Sequence, residues 1–266
     1  MKHMSGYFKA GVVLTAILLA LILVGQFWTP YDPQTMSPGE KLLPPSADHW
    51  MGTDNFGRDI FSRVIRGGGT TLGIALATVI ISCTAGTVIG ALTGYFGGRV
   101  DAILMRFNDA LTAFPSILLG LVFVSVLGGG TQNVIFALSI VFTPSFARVT
   151  RSAYASVRDA NYIKSARLMG AGKVRILTVH ILPNILQVLL PALTIGFNNA
   201  VLAEASMSYL GIGSMGSLGY ILSDAQSMLY SAPWYALCAG GTIVLLIFGV
   251  GLMGEGLQRG EGGRYA

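Results

Sequence analysis

The chain has 266 residues, 53% of them hydrophobic and 11% charged, with a formal net charge of +5 and a mean hydropathy of +0.65. So little polar surface cannot coat a water-soluble globule of this length, so the bilayer is the expected solvent and the expected fold class is an all-α integral membrane protein with about six transmembrane helices. The two cysteines, Cys83 and Cys238, both lie in apolar runs and read as small core residues, not as a disulfide framework or a metal site.

In chain order, a short basic start, Met1–Lys9, leads into a first span, Ala10–Phe27. Lys2 and Lys9 ahead of it also suit a secretory signal peptide, but the run passes through Gln26-Phe27-Trp28 without a small-residue cleavage pattern, so a retained helix is expected. Residues 1–27 are then the N-terminus and first span, and 28–69 an extracytoplasmic segment. That segment is rich in proline and carries the polar run Met51-Gly52-Thr53-Asp54-Asn55-Phe56-Gly57-Arg58-Asp59, too polar to span and too long for a turn. After Gly67-Gly68-Gly69 a second span is expected over Leu72–Phe96, then a turn at Gly97-Gly98-Arg99 and a third span, Leu111–Leu127. Gly128-Gly129-Gly130-Thr131 makes a tight hairpin to a short fourth, Val134–Val149. Ile185–Leu202 and Trp234–Met253 complete the six, giving one membrane domain over 70–256 and a tail over 257–266. Pro115, Pro144 and Pro191 are expected to kink or interrupt the third, fourth and fifth spans. A β-barrel would show many alternating segments of about ten residues. None is visible.

Six spans put both termini on one side, together with the connections around Arg99 and Arg148–His180. That side holds thirteen of the seventeen lysines and arginines. By the positive-inside bias both termini are expected to be cytoplasmic, which accounts for the net charge without a nucleic-acid partner. The basic connection of residues 150–183 is longer than a hairpin needs. Tyr162, Ile163, Ala166 and Met169 fall near one face at helical spacing, with Arg158, Lys164 and Arg167 away from it. Gly170 and Gly172 break that helix, and a second piece, Val174–Leu182, runs to Pro183. The expectation is a helix, a glycine elbow and a second helix lying on the cytoplasmic face.

Within this loop, Lys164-Ser165-Ala166, Gly170 and Leu182-Pro183 are spaced as in the "EAA…G…I-x-L-P" loop of membrane subunits of ATP-binding-cassette importers, which the chain resembles. It departs from that pattern at Lys164, where the motif has an acid, at Ser165, where it has alanine, and at His180, where it has isoleucine. His49-Trp50-Met51-Gly52-Thr53-Asp54 with Gly57-Arg58-Asp59-Ile60-Phe61-Ser62-Arg63 resembles the outer-face signature of the peptide and nickel branch. Gly94–Asp101 and Glu204–Gly213 look like the same branch. The resemblance implies a type I importer permease fold with a cytoplasmic coupling helix, half of a translocation pathway for di- or oligopeptides. It also implies four kinds of surroundings: a second homologous permease, two ATPase subunits that bind ATP and magnesium, an extracytoplasmic substrate-binding protein, and the bilayer. Coupling to the ATPase is carried onto Asn161, Tyr162, Lys164, Ser165, Ala166, Arg167, Gly170, Ala171 and Gly172. Contact with the binding protein or partner permease is carried onto Gly52, Thr53, Asp54, Gly57, Arg58 and Asp59. Nickel or a metal chelate is the alternative cargo.

Ionisable groups inside a membrane default to a functional reading. Asp109 follows Arg106 by three positions and is expected to pair with it. Asn198, Asn199 and Glu204 near the outer end of the fifth span are candidates to line the path, although Glu204 equally suits bonding to a neighbouring helix. No Gly-x-x-x-x-Gly-Lys-Ser/Thr phosphate loop occurs, so no catalytic residue and no cofactor is expected in this chain. His3, His49 and His180 are too scattered for a metal site. A secondary transporter working without an ATPase would need chains of ion-binding groups, and only Asp109 and Glu204 offer themselves.

Overall fold

The computed structural model describes residues 6–262, with side chains through residue 256. Lys2, in the basic start, and Arg264, in the tail, lie outside the described residues. Ten helices carry the fold: α1 Gly6–Phe27, α2 Ile60–Phe96, α3 Gly98–Thr112, α4 Ser116–Leu127, α5 Thr131–Val157, α6 Asn161–Leu168, α7 Lys173–Arg175, α8 Leu182–Tyr209, α9 Leu218–Ala225 and α10 Pro233–Gly262. A π-helical stretch, Ile176–Ile181, joins α7 to α8 so that Lys173–Tyr209 is one continuous apolar helix. Five helices are long and apolar enough to cross a membrane, and α3 with α4 makes a sixth, bent span.

That sixth span corrects the expected straight helix over Leu111–Leu127. The chain turns by 87° between Thr112 and Ser116. Pro115 has no N–H to continue the helix, and its ring pushes Phe114 out of the helical region. Pro144 and Pro191, by contrast, sit inside α5 and α8, which continue through them. At Pro144 the Asn108 side-chain amide of α3 donates to the proline carbonyl at 3.2 Å, which ties α3 to α5 at that level.

The second correction concerns α2, which begins twelve residues before the expected Leu72. Asp59 caps it, accepting from the backbone N–H of Ser62 at 2.7 Å. Gly67-Gly68-Gly69 therefore does not interrupt the chain; it thins a continuous helix so that other segments pack closely against it. Replacing Asp59 by alanine removes this cap and is expected to lower stability by about 1 kcal/mol. Thermal unfolding in detergent reads this, with Asp59→Asn recovering part of the loss.

Between α2 and α5 the approach is closest. A Cβ on Gly90 would lie 2.6 Å from the Ala147 carbonyl oxygen and 2.5 Å from the Thr150 Cβ, and Gly86 and Gly94 meet α5 as tightly one turn away on either side. Lipid tails are as apolar as the side chains, so such helices associate through close van der Waals packing, and glycine at four-residue spacing permits it. The other end-to-end pairing is α1 with α10. Gly11 sits against Met253 and Gly256 against Phe8, which places the start of α1 beside the end of α10. At its other end Gly25 meets Ile65 of α2. Both helical ends therefore share the face that carries α6, while residues 28–59 and α9 form the opposite face.

Candidate functional site

On the basic face, α6 is clipped to the bundle by two side chains. Ile163 is buried in a cluster with Ala91 of α2, Ala153 and Tyr154 of α5, and Ile176, Ile181 and Ile185 beyond the elbow, and Ala166 is buried as well. Gly170 ends the turn with φ of +83°. Ala171 donates its N–H to the Ala166 carbonyl, and the Tyr154 hydroxyl donates to the Leu177 carbonyl in the π-helical stretch, both at 3.0 Å. Arg167 lies over the Tyr95 ring at 5.2 Å and Lys173 over Phe96 at 5.5 Å, so two cations fasten the elbow to the end of α2.

The buried face is narrower than the sequence suggested. Tyr162 is exposed and Met169 is 80% exposed, because α6 stops at Leu168 and Met169 already belongs to the turn. With Leu168, 89% exposed, and Val174, they give this basic surface an apolar patch. Asn161, Lys164, Ser165, Arg167, Gly170 and Gly172 are also exposed, while Ala171 is half-buried. The exposed Leu168 is a feature that the helical-face argument passed over; its spacing of two from Ala166 places it away from the buried pair.

On the opposite face the polar run turns inward. Thr53, Asp54 and Asp59 are buried, Asp54 completely. Its carboxylate accepts from the backbone N–H groups of Phe56 and Arg58, from Arg58 Nε at 2.6 Å and from Arg63 Nη1. Arg63 also donates through Nη2 to Asp224 of α9 at 2.8 Å and through Nη1 to the Tyr235 hydroxyl of α10. Two arginines and two aspartates thus neutralise one another and bind the loop, α2, α9 and α10 together. His49 Nδ1 meets Asp59 at 2.9 Å. Gly57 has φ of +77°, and a Cβ there would fall 1.9 Å from the Ser37 carbonyl oxygen. A partner meeting this surface would touch other residues, such as Trp50 and Phe56, because a buried charge is retained only where its pairing stays inside.

The three path candidates are not brought together. Glu204 is 0% exposed and accepts from the Ser208 hydroxyl at 2.7 Å, with the hydroxyls of Thr71 and Ser217 alongside. The Ser208 hydroxyl in turn accepts from the Ser214 N–H, while Thr71 and Ser217 accept from Leu218 and Tyr220. Glu204 is therefore internal, bonded within its own helix to a side chain that anchors residue 214. Asn198 turns toward Gly251 of α10, and Asn199 alone reaches an open face. Asp109 pairs with Arg148 of α5 at 2.9 Å and not with Arg106, because the bend after α3 brings it against α5. Among the described residues no group of three His, Cys, Asp or Glu side chains is arranged to hold a metal.

The family profile described as "Binding-protein-dependent transport system inner membrane component" matches residues 86–260. The dipeptide transport system permease protein DppC of Alkalihalophilus pseudofirmus is 37% identical over 256 residues, covering 94% of this chain and 84% of the relative. The nickel transport system permease protein NikC of Escherichia coli K12 is 34% identical over 253 residues, covering 94% and 91%. Among solved structures, an inward-facing conformation of the MetNI methionine ABC transporter shares the fold, with a TM-score of 0.61 and 22% identity over 73% of this chain and 93% of that one.

Proposed function

The chain belongs to the family of binding-protein-dependent transport system inner membrane components, and we propose that it is the permease subunit of an ATP-driven importer of di- or oligopeptides, forming half of the path. The basic face, with both termini, lies in the cytoplasm of this multi-pass inner membrane protein. The observation that carries the reading is α6, a short helix held to the ends of α2 and α5 by Ile163, with Ala166 buried too, while Leu168 and Met169 stand exposed. A rigid helix transmits displacement from a cytoplasmic ATPase where a mobile loop would dissipate it.

Asn161–Gly172 docks on the ATPase, which holds ATP and magnesium; a second permease completes the path, and a binding protein delivers cargo to the opposite face. The peptide cargo is supported by likeness to permeases named for dipeptide and peptide transport at 37–38% identity. Likeness to NikC supports nickel or a metal chelate as the second reading.

Leu168→Asp puts a charge on the docking patch without touching the clip. It is expected to weaken retention of the ATPase subunits by about tenfold or more, with the permease still folded and ATP-driven peptide uptake falling in step. Retention and uptake equal to the wild type would remove α6 as the coupling element. Uptake that persists on an ion gradient without ATP would favour a secondary transporter instead.

A further inference from the structure

The surface of the bundle is not uniformly apolar. The exposed positions of α1 include Val13, Ile17, Leu21, Leu23 and Val24, and those of α10 include Leu237, Val244 and Phe248, as contact with lipid requires. On α5 the exposed positions Ser145, Arg148 and Ser152 make a polar stripe at helical spacing. Asn199 of α8 shares a cavity of about 150 Å³ with Ser145. Asp109 and Thr112 of α3 complete the patch, both accepting from Arg148 Nη2, and the side chains of the ion pair are 50% and 64% exposed.

Helix length places Arg148 and Thr112 of this patch at membrane depth, with Ser152 one turn further toward the cytoplasmic face. Arg148 is seventeen residues into α5, about 26 Å from its outer end, inside a hydrocarbon layer about 30 Å thick. The twelve residues of α4 cover only about 18 Å, so the bend that carries Thr112 is also at membrane depth. An open ion pair there is too costly against lipid and needs a wet or polar surface in front of it.

We propose that Asn199, Ser145, Asp109, Thr112, Arg148 and Ser152 form the hydrophilic wall of the translocation path in the cytoplasmic half of the membrane, and that Arg148 takes the terminal carboxylate of a passing peptide in place of Asp109. Asp109 holds Arg148 through Nη2 alone, so once Asp109 lets go, Nε and Nη2, whose N–H bonds lie parallel on one side of the guanidinium, can meet a carboxylate in a two-point fork. Asp109, once released, is a partner for the peptide's ammonium end. This assignment rests on the peptide reading above.

The test uses the complete transporter with its binding protein in proteoliposomes, comparing a dipeptide with free termini against its C-terminal amide. Each variant is expressed relative to wild type on the same cargo, so the binding protein's own preference cancels. Arg148→Gln is expected to lower uptake of the free dipeptide by about tenfold, the usual weight of a charged hydrogen-bond pair, and to leave uptake of the amide nearly unchanged. Arg148→Lys, which keeps charge but not the fork, falls between. Equal losses for both cargoes would overturn the carboxylate contact. Loss of the second permease from the Arg148→Gln assembly would make this face a subunit interface and overturn the wall. Wild-type proteoliposomes that take up neither peptide would instead overturn the peptide reading itself.

Discussion

Arg63→Met is expected to lower the stability of the folded chain by about 3–5 kcal/mol. The methionine matches the arginine stem in size, so the loss comes from charge and not from a cavity. Asp54, fully buried, keeps only Arg58 as a charged partner, and Asp224 loses its 2.8 Å contact. Taking one member from a buried network leaves an uncompensated charge, which is worse than having no network. Adding Asp224→Asn to the same chain is expected to recover part of the loss, because it leaves Arg58 with one carboxylate to balance instead of two. Unfolding in mixed detergent micelles, followed by helicity, gives both values. A single variant as stable as wild type would show that the cluster contributes nothing to holding α9 and the outer loop on α2.

The second large effect is expected from Gly90→Leu, about 3 kcal/mol or more. Three atoms of α5 lie under 3 Å from the position of a Cβ there: Thr150 Cβ, the Ala147 carbonyl oxygen and the Arg151 nitrogen. Two of them are backbone, which cannot rotate aside as a side chain can. Helices α2 and α5 must then separate along the stretch where Gly86 and Gly94 also pack. The ends of both helices support Ile163, so the variant is expected to loosen α6 as well as the bundle. Protease cleavage near Gly170 at a concentration that spares the wild type reads that loosening, and unfolding in detergent reads the stability. Gly73, which has nothing within 4 Å of an added Cβ, supplies the control: Gly73→Leu is expected to be tolerated.

Much of this was legible before any coordinates. Apolar run length marked the five long helices, since the bilayer imposes the same requirement on each span whatever packs beside it. Glycine and proline marked the elbow at Gly170–Gly172 and the interruption at Pro115, because their backbone preferences are local. The helix over residues 161–168 was readable from the spacing of Ile163 and Ala166. Errors arose where a local rule met a distant partner. Gly67-Gly68-Gly69 has the composition of a break, yet Ile22 and Gln26 of α1 and Gly216 pack onto those glycines and keep the helix whole. An N-cap signal was present at Asp59, directly before Ile60, and would have extended α2 had the glycines been given less weight.

The polar residues divide in the same way. The sequence by itself determined that this is a multi-span membrane protein of a transport family with a structured basic loop, because hydrophobic length, charge placement and turn residues act over a few turns of chain. Only the tertiary structure decided which polar groups are internal and which are open. Asp54 and Glu204 read as surface or path residues, but Asp54 closes on Arg58 and Arg63, and Glu204 on the Ser208 hydroxyl. Asp109 left its neighbour Arg106 for Arg148, 39 positions away. The physical reason is that a charge in a low-dielectric interior must find its partner wherever the fold brings one, and sequence separation carries no information about that distance.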